Sequence, residues 1–244
     1  MNSNSGFSAE GKRMRVIGIT GGIGSGKSVV TAYLRRRLYS VHDADEIAAE
    51  AVRPGEPALN ALTEAFGKGI LCDDGTLDRR ALADLAFGNG ENVKILNRIM
   101  HADIERRIAA RLERHRSHIL NNPGERETPK PVFLAAPLLF EAGLSARCDE
   151  VWLIAADEAL RVRRAAERDG VGEERIRARV LHQMPEAEKR AKADIVIENN
   201  GSVDALLARV DRLIDRRCAD TGTPADTRES ADECFSPAVA PPEL

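Results

Sequence analysis

Short runs of apolar residues alternate with amphipathic stretches along most of the chain. Each run holds three or four residues and is rich in branched or aromatic side chains. Such runs are typical of parallel strands that are covered on both faces of a sheet. They are residues 16–19, 132–134, 151–154 and 195–197, with a weaker candidate at 39–41.

Helical patterns fill the stretches between these runs. Apolar residues fall on one helical face within residues 29–37 and 203–214, and Ser202 is suited to cap the second of these helices. Alternation of strands and helices predicts an α/β fold built on a parallel sheet. A further helical face repeats at steps of four through Leu96, Met100, Ile104, Ile108 and Leu112.

One long segment interrupts this alternation. Residues 47–118 contain helical patterns and turns with glycine or proline, but no convincing strand pattern. A crossover between parallel strands needs only about a dozen residues. We therefore predict a helical insertion, at about residues 46–120, on the functional edge of the sheet.

The composition fits a soluble globular protein. The chain has 244 residues, of which 43% are hydrophobic, and a formal net charge of −3. That length fits one large domain that carries an insertion. No apolar run reaches the ~20 residues of a membrane span, and near-neutral charge is unlike that of dedicated nucleic-acid binders. We therefore expect neither a membrane nor a nucleic acid among the partners.

The two ends and the cysteines add to this picture. Residues 1–13 lack an apolar signal segment and read as a flexible leader. Residues 218–244 show no helical or strand period and read as a disordered acidic tail, which leaves residues 14–217 as the folded domain. The four cysteines are far apart and form no CxxC pair. This spacing argues against a disulfide framework or a zinc site and favours a cytoplasmic location.

A phosphate-binding sequence follows the first predicted strand and opens the first predicted helix. Residues 21–28, GGIGSGKS, fit the pattern G-x-x-x-x-G-K-[ST] in the context that this pattern requires. Its glycines allow backbone amides to converge on phosphate oxygens, and the helix adds its positive dipole end. The lysine can reach the β- and γ-phosphates, and the last hydroxyl can hold Mg²⁺. We predict a nucleoside triphosphate site, with Ser28 on the metal, formed by Gly22, Ile23, Gly24, Ser25, Gly26, Lys27, Ser28 and Val29.

A GTP switch is not supported. A GTPase carries an Asn/Thr-Lys-x-Asp motif that reads guanine, and no lysine in this chain follows Asn or Thr. The D-x-x-G match at residues 169–172 ends an arginine-rich helix rather than a strand.

Two carboxylates stand at the end of the weak second strand. Asp43 and Asp45 lie in the sequence His-Asp-Ala-Asp. Parallel-sheet enzymes place their working groups at the carboxyl ends of strands. The pair could orient Mg²⁺ or accept a proton from a hydroxyl nucleophile. Alternatively, either residue could simply cap a helix that begins at Glu46.

Arginines are concentrated between the last two predicted strands. They flank a turn at residues 169–172, and glutamates are interspersed among them. Phosphoryl transfer needs cations that close over the γ-phosphate, so we predict a lid at about residues 161–192. Solvated helical faces with glutamate partners are the alternative for each single arginine. The basic residues are Arg161, Arg163, Arg164, Arg168, Arg175, Arg177 and Arg179, followed by Lys189, Arg190 and Lys192.

Together these motifs resemble those of the dephospho-CoA kinase family. The phosphate loop alone is generic, but its combination with the later motifs is specific, and they follow in the family's order from about residue 15 to 217. The matching pieces are residues 19–28 (ITGGIGSGKS), 43–45 (DAD), 74–82 (DGTLDRRAL), 96–101 (LNRIMH), 137–141 (PLLFE) and 193–201 (ADIVIENNG), with Arg164, Arg168 and Gln183.

The resemblance implies a fold like that of the nucleoside monophosphate kinases: a five-stranded parallel sheet, a helical substrate-binding insertion and a lid. It implies transfer of the ATP γ-phosphoryl group to the ribose 3′-hydroxyl of dephospho-CoA, with Mg²⁺ bound. The partners would be these two small molecules, and we expect a monomer, although the oligomeric state stays open.

The resemblance also assigns roles to single residues. Asp45 would act as the base, and Asp43 would support the site and the metal. Lys27 and the lid cations Arg164 and Arg168 would stabilise the transferring group. The remaining roles are contacts with dephospho-CoA through Arg79, His101, Leu139 and Glu141, and with the adenine of ATP through Asn199, Asn200 and Gly201.

Three positions depart from the family pattern. Ala135 stands where many relatives have Asp two residues before Pro-Leu-Leu, so the third strand carries no acidic residue there. Ala102 follows His101 where the family usually has Pro. Residues 35–38, RRRL, lack the usual glycine before the second strand.

Other functions remain open at this point. The first is another kinase of the nucleoside monophosphate type, and the second is a non-catalytic ATP-binding regulatory module. RNA binding through the lid arginines is opposed by the net charge and by the 4% of aromatic residues available for stacking.

Overall fold

The computed structural model describes residues 14–122, 124 and 129–219. Within this part a parallel sheet is built from five strands in the order β2-β3-β1-β4-β5. β3 lies between β1 and β2, although it comes much later in the chain than either of them. The strands are β1 (Val16–Thr20), β2 (Val41–Asp43), β3 (Val132–Ala135), β4 (Glu150–Ala155) and β5 (Ile195–Glu198).

Helices connect the strands. In the described residues, the segment predicted as a helical insertion contains four α-helices between β2 and β3. The helices are α1 (Lys27–Arg36), α2 (Ala44–Ala51), α3 (Pro57–Phe66), α4 (Arg79–Phe87), α5 (Gly90–Asn121), α6 (Glu158–Asp169), α7 (Glu173–Val180), α8 (Glu186–Lys192) and α9 (Val203–Ala219).

The strand predictions are confirmed except at the second strand. β2 is three residues long and starts at Val41, so the expectation for residues 39–41 was wrong at its first two positions. The reason is local: the amide of Tyr39 donates to the carbonyl of Leu34 and closes the end of α1. The cap prediction at Ser202 is confirmed, because its hydroxyl accepts from the amide of Ala205 at 3.2 Å.

The two faces of the sheet are covered by different helices. On one face, α1 and α9 contribute Val30, Leu34 and Val210 to a cluster with Phe133 and Trp152. On the other face, α2 and α5 pack on the alternate residues of the strands, including Val16, Leu134 and Val151. Alternation along each strand thus buries both faces, as the apolar runs predict.

The insertion has a cluster of its own. Leu62, Ile70 and Leu82 are buried there, and Leu96 and Met100 of α5 pack against them. Further along α5, Ile108 and Leu112 belong to the cluster on the sheet. The step-of-four pattern predicted one helical face, and the structure divides that face between two clusters.

The predicted lid region is a helical hairpin followed by a short helix. Val162 and Ala165 of α6 pack on Ile176 of α7, and Ile23 from the phosphate loop packs against them. Residues 1–13 and 220–244 lie outside the described part, so the expectations for the leader and most of the tail concern residues that the structure does not describe. Among the described helices, none is long and apolar enough to cross a membrane.

Candidate active site

The sheet brings the phosphate loop and the two carboxylates to the same edge. The loop follows β1, and Asp43 ends β2, with β3 lying between these strands. In the register of the sheet, Ala135 lies opposite both Ile19 and Asp43. Ala135 is fully buried. The small side chain at this departure from the family pattern therefore packs in the cluster on one face of the sheet and adds no charge between the two site-bearing strands.

Two glycines of the loop are required by its conformation. Gly24 and Gly26 have φ angles of 76° and 99°, in the left-handed region. A Cβ on Gly24 would collide with the carbonyl oxygen of Arg161, and one on Gly26 would collide with the amide nitrogen of the Asn199 side chain. Larger residues would therefore strain the loop and displace both of its neighbours.

The N-terminus of α1 is open to an anion. The helix begins at Lys27, and its N-cap, Gly26, has no side chain with which to accept from the first-turn amides. The loop closes on itself through a hydrogen bond from the Ser25 amide to the Gly22 carbonyl at 3.0 Å. Amides at a helix start bind phosphate oxygens well, because they are unpaired and stand at the positive end of the helix dipole.

Lys27 and Asp43 meet at this edge. Their Nζ and Oδ2 atoms are 3.5 Å apart, with side chains 13% and 14% exposed. The other oxygen of Asp43 accepts from the amide of Asp45 at 2.9 Å, which makes Asp43 the N-cap of α2. The helix thus begins at Ala44, earlier than the predicted Glu46. Asp43 is both the helix cap and the partner of the loop lysine, so the two predicted alternatives are compatible.

Asp45 lies in the first turn of α2, beside this pair. The surrounding groups partly desolvate its carboxyl and raise its pKa, although its surface remains accessible to solvent. The charge of Lys27 acts in the opposite direction, and the charge of Asp43 adds to the increase. A carboxylate with a raised pKa next to a cation is suited to take up a proton.

The donor set at this edge fits Mg²⁺. Ser28 offers a hydroxyl oxygen in the first turn of α1, and Asp43 offers a carboxylate oxygen. Mg²⁺ prefers hard oxygen ligands and is commonly held by one or two protein groups together with phosphates and water. In the described part of the chain, no group of three or more His, Cys, Asp or Glu residues forms a metal cage. Ser28 and Asp43 are the residues that would hold the ion at this edge.

The predicted adenine loop packs directly on the phosphate loop. The side chain of Asn199 is buried and donates to the carbonyl of Ser25 at 2.8 Å. Asn200 accepts from the amide of Asp157 at 2.9 Å, which joins this loop to the start of α6. Arg164 donates to the carbonyls of Asn199 and Gly201. The residues predicted to bind ATP are thus brought together.

The lid arginines are distributed among different partners. Arg168 pairs with Asp169 at the outer end of α6, and Arg179 pairs with the same carboxylate. Arg177 pairs with Glu158 and Glu173. These contacts fit the alternative of solvated helical faces, and the role of Arg168 in catalysis stays a prediction.

The residues predicted to contact the acceptor fall in two places. Arg79 and His101 are exposed on α4 and α5 of the insertion, where Asp78 caps α4 by accepting from the amides of Arg80 and Ala81. Leu139 is fully buried in the cluster on the sheet, so its side chain packs in the core. These contacts with the acceptor also stay predictions.

Glu141 already has partners. Its carboxylate accepts from the amide of Met184 at 2.9 Å and pairs with Lys189 at 3.2 Å. Burial opposes its ionisation, but the hydrogen bond from Met184 and the charge of Lys189 hold its pKa below the usual value. In this structure Glu141 therefore ties the turn after β3 to the end of the lid.

Three residues matter more than the sequence suggested. Lys189 is 1% exposed and donates to the carbonyl of Pro137 at 3.1 Å, as well as pairing with Glu141. Gln183 accepts from the amide of Ile23 at 3.2 Å. Arg161 is buried against the phosphate loop. The sequence placed all three near the lid, but no pattern distinguishes a buried cation from an exposed one within an arginine-rich stretch.

Comparison with known proteins identifies the family. The family model for dephospho-CoA kinase matches residues 15–205. A dephospho-CoA kinase of Geobacter sulfurreducens is 41% identical over 205 residues, which are 84% of this chain and 99% of that protein. One from Geobacillus kaustophilus is 44% identical over 186 residues, 76% of this chain and 88% of that protein.

Solved structures agree with this assignment. A crystal structure from Thermus thermophilus has a TM-score of 0.69 and 40% identity, and the match covers 84% of this chain and 98% of that one. A dephospho-CoA kinase from Campylobacter jejuni shares the fold, with a TM-score of 0.60 at 24% identity and coverage of 84% and 100%. The chain belongs to the dephospho-CoA kinase family.

Proposed function

We infer that this chain is an ATP-dependent dephospho-CoA kinase. It transfers the γ-phosphoryl group of ATP to the ribose 3′-hydroxyl of dephospho-CoA and releases ADP and coenzyme A. The observation that carries this inference is the meeting of Lys27 and Asp43, with Asp45 beside them, at the edge of the sheet where the phosphate loop ends. A nucleotide-binding loop alone would not place a base next to the transferred group.

The phosphate loop holds the donor. Its amides and the start of α1 bind the phosphates of ATP, and Lys27 exchanges its contact with Asp43 for the β- and γ-phosphates. Asn199 and its neighbours, which lie against the loop, contact the adenine. Ser28 and Asp43 would hold Mg²⁺, which would neutralise part of the triphosphate charge.

Asp45 takes the proton. The acceptor oxygen forms a bond to the γ-phosphorus while the bond from that phosphorus to the β,γ-bridging oxygen breaks. The hydroxyl proton passes to the carboxylate of Asp45, and ADP leaves with the electron pair of the broken bond. The raised pKa of Asp45 suits this role, because it makes the carboxylate a better proton acceptor than an ordinary aspartate.

The lid completes the site. Arg164 and Arg168 stabilise the transferring group when the lid closes. Arg164 donates to the carbonyls of Asn199 and Gly201, so it reaches the γ-phosphate only by leaving them. On the acceptor side, Arg79, His101 and Glu141 contact dephospho-CoA, whereas Leu139 is buried in the core and reaches the acceptor only if the turn after β3 opens.

The test is an assay of ADP release with Mg²⁺ and ATP, comparing dephospho-CoA with AMP, CMP and adenosine. We expect turnover with dephospho-CoA alone and a product phosphorylated on the ribose. Lys27→Met should abolish it, whereas Lys94→Met, which removes an exposed lysine paired with Glu91, should not.

Other results would redirect the assignment. Preference for AMP or CMP would keep the fold and overturn the acceptor roles of Arg79 and His101. No turnover with any acceptor, together with retained ATP binding, would favour a regulatory module.

A further inference from the structure

Arg161 is a buried cation at the root of the lid. It lies in the first turns of α6 and is 5% exposed. Its Nε atom donates to the carbonyl of Ala156, just beyond the end of β4, at 2.9 Å. The same atom is 3.3 Å from a carboxylate oxygen of Glu186 on α8. A guanidinium that is this buried needs partners of this kind, because an unpaired buried charge is costly.

The residue also forms a wall of the phosphate loop. A Cβ placed on Gly22 would collide with the Nη1 atom of Arg161, and one on Gly24 would collide with its carbonyl oxygen. The side chain and backbone of one residue thus lie against two glycines of the loop. Further along the loop, a Cβ placed on Gly26 would collide with the side-chain nitrogen of Asn199. Arg161 and Asn199 thus lie against the loop at different glycines.

A series of ion pairs connects Arg161 with the residue that precedes Asn199. Glu186, the partner of Arg161, also pairs with Arg190 at 3.0 Å. Arg190 pairs with Glu198 at 2.6 Å. Glu198 is the last residue of β5, immediately before Asn199. The network therefore runs from Arg161, through α8, to the segment after β5, where Asn199 lies against the phosphate loop at Gly26.

We propose that Arg161 is a positioning residue that fixes the phosphate loop in its nucleotide-binding conformation. It acts by holding the backbone at Gly22 and Gly24, and its ion pairs fix its position relative to Asn199. Loop amides bind phosphate tightly only when they already converge, because ordering them during binding costs free energy. The proposal rests on the proposed function only in that a nucleotide with a β-phosphate is the ligand of this loop.

Direct binding of Mg·ADP, measured by calorimetry, tests the proposal without any acceptor. We expect Arg161→Met to weaken Mg·ADP binding at least tenfold, because it removes the guanidinium. Methionine is chosen because it keeps the apolar stem of the side chain. Arg161→Lys should recover part of the loss, since it keeps the charge that faces Glu186. In the kinase assay, KM for ATP should rise at least tenfold in Arg161→Met, while KM for dephospho-CoA stays within twofold.

Arg107→Met is the matched control. Arg107 is also largely buried and ion-paired, with Asp103 and Glu56, but it lies on α5 and pairs with residues away from the phosphate loop. Its loss should lower the melting temperature and leave Mg·ADP affinity within twofold. Arg161→Met binding Mg·ADP as wild type does, or losing no more affinity than Arg107→Met, would overturn the positioning role.

Glu186→Gln covers the case in which Arg161→Met does not fold. It opens no cavity and removes one charge from the network, and we expect Mg·ADP binding to weaken about threefold. Unchanged binding in Glu186→Gln would overturn the network. A wild-type protein that binds Mg·ADP but does not phosphorylate dephospho-CoA would contradict the proposed function and leave this test intact.

Discussion

At the scale of single residues, the carboxylate of Asp43 has a separate task for each of its oxygens. One oxygen accepts from the amide of Asp45 and fixes the start of α2, and the other faces Lys27. The position of Asp45 therefore depends on the same side chain that pairs with the loop lysine. This arrangement brings the proposed base, the lysine and a proposed metal ligand together at one edge of the sheet.

The role of Asp45 can be tested with Asp45→Asn. The amide cannot take up the proton of the hydroxyl, so we expect turnover to fall at least ~10²-fold while ATP binding persists. In the wild type, activity should fall as the pH decreases. Because partial desolvation raises the pKa of Asp45, this fall should begin at a higher pH than for an ordinary aspartate. Asp215→Asn, an exposed change on α9, is the control. Wild-type turnover in Asp45→Asn would remove this residue from the mechanism.

His42 predicts how stability depends on pH. Its pKa is lowered to about 4, by burial first and then by the charges of Arg111, His115, Arg114 and Arg35. The unfolded chain takes up this proton near the ordinary value of about 6.5. Between these values the unfolded state binds more protons, so stability is full above pH ~6.5 and is lost as the pH falls toward 4.

Urea unfolding of wild type and His42→Val at several pH values measures this effect. We expect the valine variant to lose less stability than the wild type between pH 6.5 and 4. A control, His182→Val, changes an exposed histidine in the turn after α7 and should follow the wild type. Parallel curves for wild type and His42→Val would show that another group controls this range.

At the scale of elements, the end of α1 shows how one unusual residue is accommodated. The amide of Leu38 donates to the carbonyl of Arg35, and that of Tyr39 donates to that of Leu34. This is the Schellman arrangement, whose first residue past the cap is left-handed and is usually glycine. Leu38 occupies that position with a φ of 59° and a side chain 82% exposed. The glycine that the family usually has before the second strand is therefore absent at a position where the backbone is left-handed.

Leu38→Gly should stabilise the protein. A left-handed residue other than glycine costs roughly 1–2 kcal/mol, and the added flexibility of glycine in the unfolded chain offsets part of this. We expect the free energy of unfolding to rise by about 1 kcal/mol in urea titrations. Leu38→Ala keeps the left-handed strain and should gain little. Equal gains in the two variants would show that the exposed leucine side chain, and not the backbone, was unfavourable.

The elements show which parts of the molecule the sequence could predict. Branched apolar runs located the long strands, because strands buried on both faces need such residues at every position. The phosphate loop was readable because its chemistry depends on glycines, Lys27 and Ser28 at fixed spacing. The bounds of β2 could not be predicted from the sequence, because they depend on how the turn at Leu38 closes.

The partners of the lid cations were hidden for a different reason. Arg161 and Lys189 are buried by contacts with Glu186 and Glu141, which come from separate elements. Arg168 and Arg177 are exposed, yet the residues around them in the sequence are of the same kinds as those around Arg161 and Lys189. Only the contacts of α6 with α8, and of α8 with the turn after β3, separate these two groups.

At the scale of the whole molecule, the described contacts end before the last part of the chain. The family match ends at residue 205, and α9 ends at Ala219. Deleting residues 221–244 removes none of the described contacts. We expect kinase activity within twofold of the full chain and an unchanged melting temperature. A large loss of either would show that these residues take part in folding or catalysis.

The long helix α5 has a consequence for cooperativity. Its 32 residues form a rod of about 48 Å, which supplies side chains to the cluster of the insertion at one end and to the sheet at the other. If α5 separated from one cluster, apolar surface would become exposed in the other cluster as well. The insertion should therefore not melt ahead of the sheet. The fluorescence of the single Trp152, buried in the sheet, and the helical circular dichroism signal should change together in one transition on heating.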